Sequence, residues 1–365
     1  YPGLDFGAER TIRSGAISPI DKNELLNKPN EEIAEYLKEY KEERGWRNPS
    51  IGGLSNTFRS CVSETPEKFA NNMKPFLKVQ RVYQHALLWG LDEAWRLNKD
   101  FKWDNIFNFI LKIIKSNNFW NEKYEKGSNY RNWIISQIAD LIEDGTKDDK
   151  HTFNAKLLPK AENILLILSD RVKSHLPDMR DLVTSVLNSP KGRVFSAMIN
   201  YSMLCSQIFK KEQEDRWVEA IKKDFNKRLN RKVEPSLEFS VSLGKYLPYI
   251  YYLNKNWVTN NINRIFPKDN YVHWQAVFTG YLFYHNRPNK DIYLLLRKNN
   301  HYIKAIQTEF GDDTIINRLV QHICVGYLRG LEKLDDDESL ISQLLKKPNV
   351  NQLSAIVNYF WMQKI

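Results

Sequence analysis

Cysteine is rare in this 365-residue sequence, and Cys61, Cys205 and Cys324 stand more than a hundred residues apart. No CxxC pair or zinc knuckle can be drawn from them, which leaves the buried, reduced thiols of a cytosolic protein. Glycine is scarce as well: its 15 residues are about 4% of the chain, where roughly 7% is usual. Sheet proteins with many tight turns seldom manage with so little, so helices are favoured. No stretch approaches the ~20 apolar residues of a bilayer span, and the first residues carry no basic-then-apolar secretory pattern. The expectation is a protein of the cytoplasm with no membrane contact.

Catalytic signatures are also missing. There is no GxxxxGK[ST] to cradle a triphosphate, and no HExxH, GxSxG or GxGxxG. The seven histidines, His85, His151, His175, His273, His285, His301 and His322, include no pair at the i, i+4 spacing of a helical metal site. Asp148, Asp149 and Lys150 form a D-x-K like the end of a metal-dependent nuclease motif, but no strand is there to present it, and a solvated loop is the preferred reading. The expectation is a segment without catalysis, metal or cofactor of its own.

What is present is length, charge and periodicity. The chain holds two to three domains' worth of residues at about 150 each. Its net charge is +10, from 54 basic and 44 acidic side chains. Residues 1–150 hold 23 of each sign, so the whole excess lies beyond them. The densest run, Lys210 to Lys232, has nine basic residues against five acidic. Read as a helix, it places Trp217, Ile221 and Phe225 on an apolar face and turns Lys222, Lys223 and Lys227 away from it. Those lysines read either as a solvated face or as a basic docking surface, nucleic acid included, since lysine neutralises phosphates without a sequence motif.

Past residue 75 apolar residues recur with helical spacing almost everywhere. The stripes are Ile106, Phe107, Ile110, Ile113, Ile114; Ile134, Ile138, Leu141, Ile142; Val194, Ala197, Met198, Tyr201, Cys205, Ile208; Trp274, Val277, Phe278, Tyr281, Leu282; and Ile316, Leu319, Val320, Ile323, Tyr327. A strand competes only at Tyr246 to Leu253, where Pro248 would interrupt a ladder, so two short helices are preferred. Ser189 before Pro190 suits an N-cap and first helical position, and Asp335 to Glu338 precede a helix over Leu340 to Leu345 that Lys346, Lys347 and Pro348 close. Successive helices of this kind stack as hairpins, each too thin to bury its apolar face alone. The predicted fold is all-α, an irregular α-solenoid of stacked helical hairpins like tetratricopeptide or HEAT repeats, with a compact bundle as the competitor. Neither the tetratricopeptide pattern nor the ankyrin T-P-L-H recurs at a fixed period. Residues 1–30 read as an extended lead-in packed on the stack, 31–148 as an N-terminal helical part and 149–365 as a basic C-terminal repeat part. The chain starts at Tyr1 rather than Met, a hint that it is excised from something longer.

Three groups of residues carry a resemblance. One is Asn188-Ser189-Pro190-Lys191-Gly192-Arg193 with Ala197, Asn200 and Tyr201. The second is Leu243-Gly244-Lys245-Tyr246-Leu247-Pro248 with Tyr251, Tyr252, Leu253, Trp257 and Ile265-Phe266-Pro267, then Trp274, Ala276, Gly280 and Tyr281. The third is Ser18-Pro19-Ile20 with Glu24-Leu25-Leu26, Pro49-Ser50, Gly53-Leu54, Glu64, Pro66 and Phe69-Ala70. Together these packing motifs resemble the C-terminal, tetratricopeptide-like sensor region of the bacterial antiviral STAND NTPases, the Avs group. The resemblance implies a receptor module that recognises a phage protein, the terminase large subunit or the portal, by its folded shape. A neighbouring ATPase, absent from this segment, would oligomerise and switch on a nuclease or similar effector.

The residues to test first as partner anchors are Arg193, Tyr249, Tyr251, Tyr252, Trp257 and Trp274, because aromatics and arginine dominate recognition surfaces. Each aromatic also reads as ordinary interior packing, and Arg193 as a partner of neighbouring carbonyls or a carboxylate. Two other roles stay open: a nucleic-acid-binding module using Lys222, Lys223 and Lys227, and a plain oligomerisation scaffold.

Overall fold

The structure, a computed structural model, describes residues 16–42, 45, 48–123, 129–147, 151–174, 181–346 and 350–362. Among them are 21 α-helices and no strand. In chain order the first eight are α1 (Lys22–Asn27), α2 (Asn30–Glu39), α3 (Ile51–Glu64), α4 (Pro66–Asn71), α5 (Arg81–Arg96), α6 (Trp103–Ile114), α7 (Asn117–Asn121) and α8 (Tyr130–Lys147). Then come α9 (Leu158–Arg171), α10 (Leu182–Asn188), α11 (Pro190–Ile208), α12 (Glu219–Arg228), α13 (Leu237–Lys245), α14 (Leu247–Leu253) and α15 (Lys255–Ile265). The last are α16 (Tyr271–Tyr284), α17 (Lys290–Lys298), α18 (His301–Ile306), α19 (Asp313–Leu328), α20 (Leu340–Lys346) and α21 (Val350–Met362). The fold is all-α and repeat-like.

The chain divides into two compact units, residues 1–115 with 123–137 and residues 116–122 with 138–365. In the first, residues 16–21, just before α1, are non-helical and meet the start of α3: Ser50 N donates to Ile17 O at 2.9 Å. Asp21 caps α1, accepting from Asn23 N, and Leu25 is fully buried. The centre of this unit is a ring cluster, Phe58, Phe69 and Phe76, with centroids 5.4 to 6.0 Å apart. Burying each such ring contributes about 1.5–3 kcal/mol.

In the second unit the longer helices pack in succession, α9 on α11, α11 on α13, α13 on α16, α16 on α19 and α19 on α21. Shorter helices form a second run alongside, with α14 on α15, α15 on α17 and α18 on α20. Several tertiary hydrogen bonds share a similar spacing in both units. Asn30 to Lys68 O, Asn105 to Ala70 O, Tyr201 to Leu158 O, Asn254 to Glu214 O, Tyr293 to Glu332 and Arg297 to Leu331 O all join residues 34 to 43 apart. Such bonds tie neighbouring helical hairpins together, the physical sense in which a stack of helices is a repeat structure without a repeated motif.

The helical stripes are interior with three exceptions: Ile208 is exposed, and Ile316 and Tyr327 are half-buried. Ile208 is the last residue of α11, and Lys210 just beyond it turns the chain with a positive φ of 44°. On α19 the inward position is taken by Ile315 instead. The Tyr246 to Leu253 stretch is helical rather than a strand, but it holds one helix and not two: α13 ends before it at Lys245, and α14 fills Leu247–Leu253 with Pro248 in its first turn. Ser189 caps α11 from the side chain, accepting from Gly192 N at 3.0 Å, with Pro190 at the first helical position. Asp148, Asp149, Lys150, Lys347 and Pro348 lie outside the described residues.

Candidate functional site

α14 is seven residues long, and its phase decides what it shows. Leu247, Ile250 and Leu253 turn inward and are fully buried. That leaves Tyr249 and Tyr252 facing outward, 45% and 41% exposed. The Arg216 guanidinium carbon lies 4.3 Å from the Tyr252 ring centroid, and its Nη1 donates to Tyr252 O at 3.3 Å. Arginine held flat on a tyrosine keeps its remaining donors in a fixed orientation. Tyr249 packs edge-on against Tyr246 at 5.7 Å. Tyr251 is tied down beside them: its hydroxyl donates to Asp291 at 3.1 Å, and Lys255 stands 3.6 Å from the same carboxylate. Partial burial raises the Tyr251 phenol above its ordinary value.

The other anchors chosen from sequence separate from this surface. Trp257 is buried edge-on against Trp217, with centroids 4.8 Å apart. Trp274 is fully buried, stacked on Phe278 at 5.3 Å, and its Nε1 donates to His301 Nδ1 at 3.2 Å. Both belong to the core in this conformation, where no partner reaches them. Arg193 is half-buried and ion-paired with Asp140. Lys222 pairs with Glu219 at 2.7 Å and Lys223 approaches the same carboxylate at 3.7 Å, while Lys227 is exposed.

Of the basic residues on α12, Arg228 turns inward, into a buried polar network. It donates to Asp224 at 2.7 Å, to Glu234 at 2.5 Å and to Ser169 O at 2.8 Å. Lys191 donates to the other oxygen of Glu234 at 2.7 Å. Burial opposes the charge on Glu234, but the hydrogen bonds from Lys191 and Ser236, with the Arg228 charge, outweigh it and hold the carboxyl below its ordinary value. This cluster ties α9, α11 and α12 together, and every charge in it is answered.

Two further surface features were not singled out from sequence. In the first unit Trp89 and Trp133 are exposed, with His85 between them at 5.5 and 5.9 Å and Tyr130 edge-on to Trp133 at 4.8 Å. The Arg59 guanidinium lies 3.9 Å from the Trp89 centroid. The signal was available, since Trp133 precedes the stripe Ile134, Ile138, Leu141 and Trp89 lies off the buried face of α5. In the second unit a groove of about 260 Å³ is floored by Leu182, Val183, Ala276 and Ile315 and walled by Val272, Phe283 and Phe310. Its size suits an apolar side chain; Asp181 and Asp312 at its rim are engaged as N-caps of α10 and α19.

Among the described residues no group of three or more His, Cys, Asp and Glu could hold a metal ion, and no helix is long and apolar enough to cross a membrane. Compared with known proteins, the chain matches no family model, no curated protein and no solved structure.

Proposed function

We propose that this chain is a ligand-sensing module that acts in the cytoplasm and grips a folded protein, without a chemical step or cofactor of its own. The observation that carries the proposal is the α14 surface, where Tyr249 and Tyr252 face solvent and Arg216 lies on Tyr252. These are the residue types on which binding energy concentrates, and Tyr249 and Tyr252 themselves lie outside the buried core. Combined with the packing motifs around Ser189-Pro190, Gly244 and Gly280, this favours the sensor region of an anti-phage STAND NTPase of the Avs group. The ligand would be a phage terminase large subunit or portal, and assembly would run through an NTPase region outside this segment.

The test is to mix the purified chain with terminase and portal subunits and follow complex formation by size exclusion. A complex that forms and is lost in Tyr252→Ala and Arg216→Ala supports the proposal; no complex with either subunit removes it. A second reading, nucleic-acid binding through Lys222, Lys223 and Lys227, is supported by the concentration of the +10 charge beyond residue 150. It requires filter binding that weakens with salt and falls in Lys223→Ala with Lys227→Ala.

A further inference from the structure

We propose that the C-terminal ends of α12, α15 and α17 form one basic edge that binds the phosphate backbone of a single-stranded nucleic acid. The proposal rests on the nucleic-acid reading and moves the contact away from Lys222 and Lys223. The three helix ends stand side by side. Arg231, just past α12, donates from Nη2 to Ile265 O at 3.4 Å, and Arg264 of α15 donates back to Asn226 Oδ1 at 3.5 Å. Asn263 of α15 donates to Asn299 Oδ1, just past α17, at 3.0 Å. Lys227, Lys232, Arg264, Lys268 and Lys298 are exposed there, and none of them is paired with a carboxylate among the described residues. At neighbouring-helix spacings of about 8–10 Å the row extends about 20 Å.

The opposite ends of the same helices show what sets this edge apart. At the N-termini, Glu219 of α12 answers Lys222 at 2.7 Å and Lys223 at 3.7 Å, and Asp291 of α17 answers Lys255 at 3.6 Å. At the C-terminal edge the acids are taken or few. Glu332 is buried against Arg297 and Tyr293, and Glu234 is buried between Lys191 and Arg228, which leaves Asp269 exposed. Arg264 is held instead by neutral oxygens, those of Asn261 at 2.8 Å and Asn226, so its charge is oriented without being cancelled. Arg231 has no carboxylate in contact either: its Nε and Nη1 are buried without an acceptor in the protein, and burial, with the charge of Arg264, pushes the guanidinium down to about 10. The helix dipole accounts for a cation in a last turn but fades beyond it, where Lys232 and Lys268 stand. An uncancelled row of cations is the footprint of a polyanion. Tyr271 favours a single strand over a duplex. It is 48% exposed, three residues past Lys268, with Lys304 Nζ 5.8 Å from its ring centroid, and an exposed ring beside a basic track gives an unpaired base a face to stack on.

Fluorescence anisotropy of a labelled oligothymidylate of about 12 nucleotides with the whole chain, from about 50 to 200 mM salt, tests this. The parent is expected to bind with an affinity that falls as salt rises. Lys232→Ala with Lys268→Ala and Lys298→Ala, at three exposed and unpaired positions, is expected to flatten the slope of log K against log salt by about 2, at about 0.7 per phosphate contact, whereas Lys222→Ala with Lys223→Ala leaves the parent's slope in place. Tyr271→Ala should weaken binding about tenfold and Tyr271→Phe should not, while a duplex of the same strand, its bases already stacked, should be indifferent to both. If the parent shows no salt-sensitive binding, the nucleic-acid reading falls and the edge with it. If the parent binds but the loss follows Lys222 and Lys223, or Tyr271→Ala binds the single strand as the parent does, that reading stands and the proposal of a single strand on this edge is overturned.

Discussion

Gly244 of α13 and Gly280 of α16 each meet the other helix's backbone: a Cβ on Gly244 would stand 2.0 Å from Val277 O, and one on Gly280 2.4 Å from Val241 O. No side chain fits at either place, so the two helices cross in close contact because both residues lack one. Gly244→Ala and Gly280→Ala are each expected to force the helices apart and cost about 3 kcal/mol, the upper range of overpacking. Urea denaturation of the two variants checks this, and an unchanged midpoint in either would show that the crossing relaxes freely.

How much of this was legible in the sequence depends on the range over which each feature is decided. The cap at Ser189 with Pro190 and the inward phases of α6 and α8 are local, and the residue pattern alone places them. The helical reading of Tyr246 to Leu253 is equally local, because Pro248 excludes a ladder. Tyr249 and Tyr252 could be placed outward from the phase of Leu247, Ile250 and Leu253. Trp274 lies in the stripe with Val277, Phe278 and Tyr281, but α16 carries apolar residues on its other sides too, so the pattern alone does not separate an interior ring from an outward anchor. Lys191 is a further case: its position in a cap motif is visible, but its carboxylate, Glu234, comes 43 residues later. No periodicity marks such a partner.

Glu234 answers two buried cations at once. Removing it as Glu234→Ala leaves Lys191 and Arg228 without it, so the loss is expected to be about 3–5 kcal/mol, the range for breaking a buried pair from one side. Replacing the Lys191 side of the network together with Glu234, as Lys191→Met with Glu234→Gln, should cost less than the sum of the two single changes. A double-mutant cycle by chemical denaturation measures that coupling, and additivity would show the pair to be energetically independent.

Acid should loosen the fold through its histidines. Burial lowers His273 and His322 to about 4 and His301 to about 3, from an ordinary 6.5. Each is therefore neutral when folded, while the unfolded chain takes up protons as the pH drops below 6.5. Stability is complete above that value and declines as pH falls toward about 4, with each histidine adding a slope of at most about 1.4 kcal/mol per pH unit. Glu234, held below its ordinary 4.5, loses its contribution only at lower pH, so between 4.5 and 6.5 the decline comes from the histidines and is opposed by Glu143, whose carboxyl is raised above its ordinary value by burial. Unfolding followed across that window should show the decline. In His273→Asn, which retains a partner for Ser240, the slope should be shallower.

Surface and core aromatics should separate cleanly when truncated. Trp274→Ala removes a fully buried ring stacked on Phe278 and bonded to His301, and a loss of about 3–5 kcal/mol is expected. Tyr252→Ala and Trp133→Ala remove exposed rings whose neighbours keep their own packing, so each should change stability by less than about 1 kcal/mol. Thermal melts of the three variants make the comparison. If Tyr252→Ala melted as early as Trp274→Ala, the α14 surface would be part of the scaffold, and the case for it as an anchor of recognition would fall. If instead it melts like the parent, any binding it loses is lost at the surface itself, because the helices that present Tyr249, Tyr252 and Arg216 are still in place.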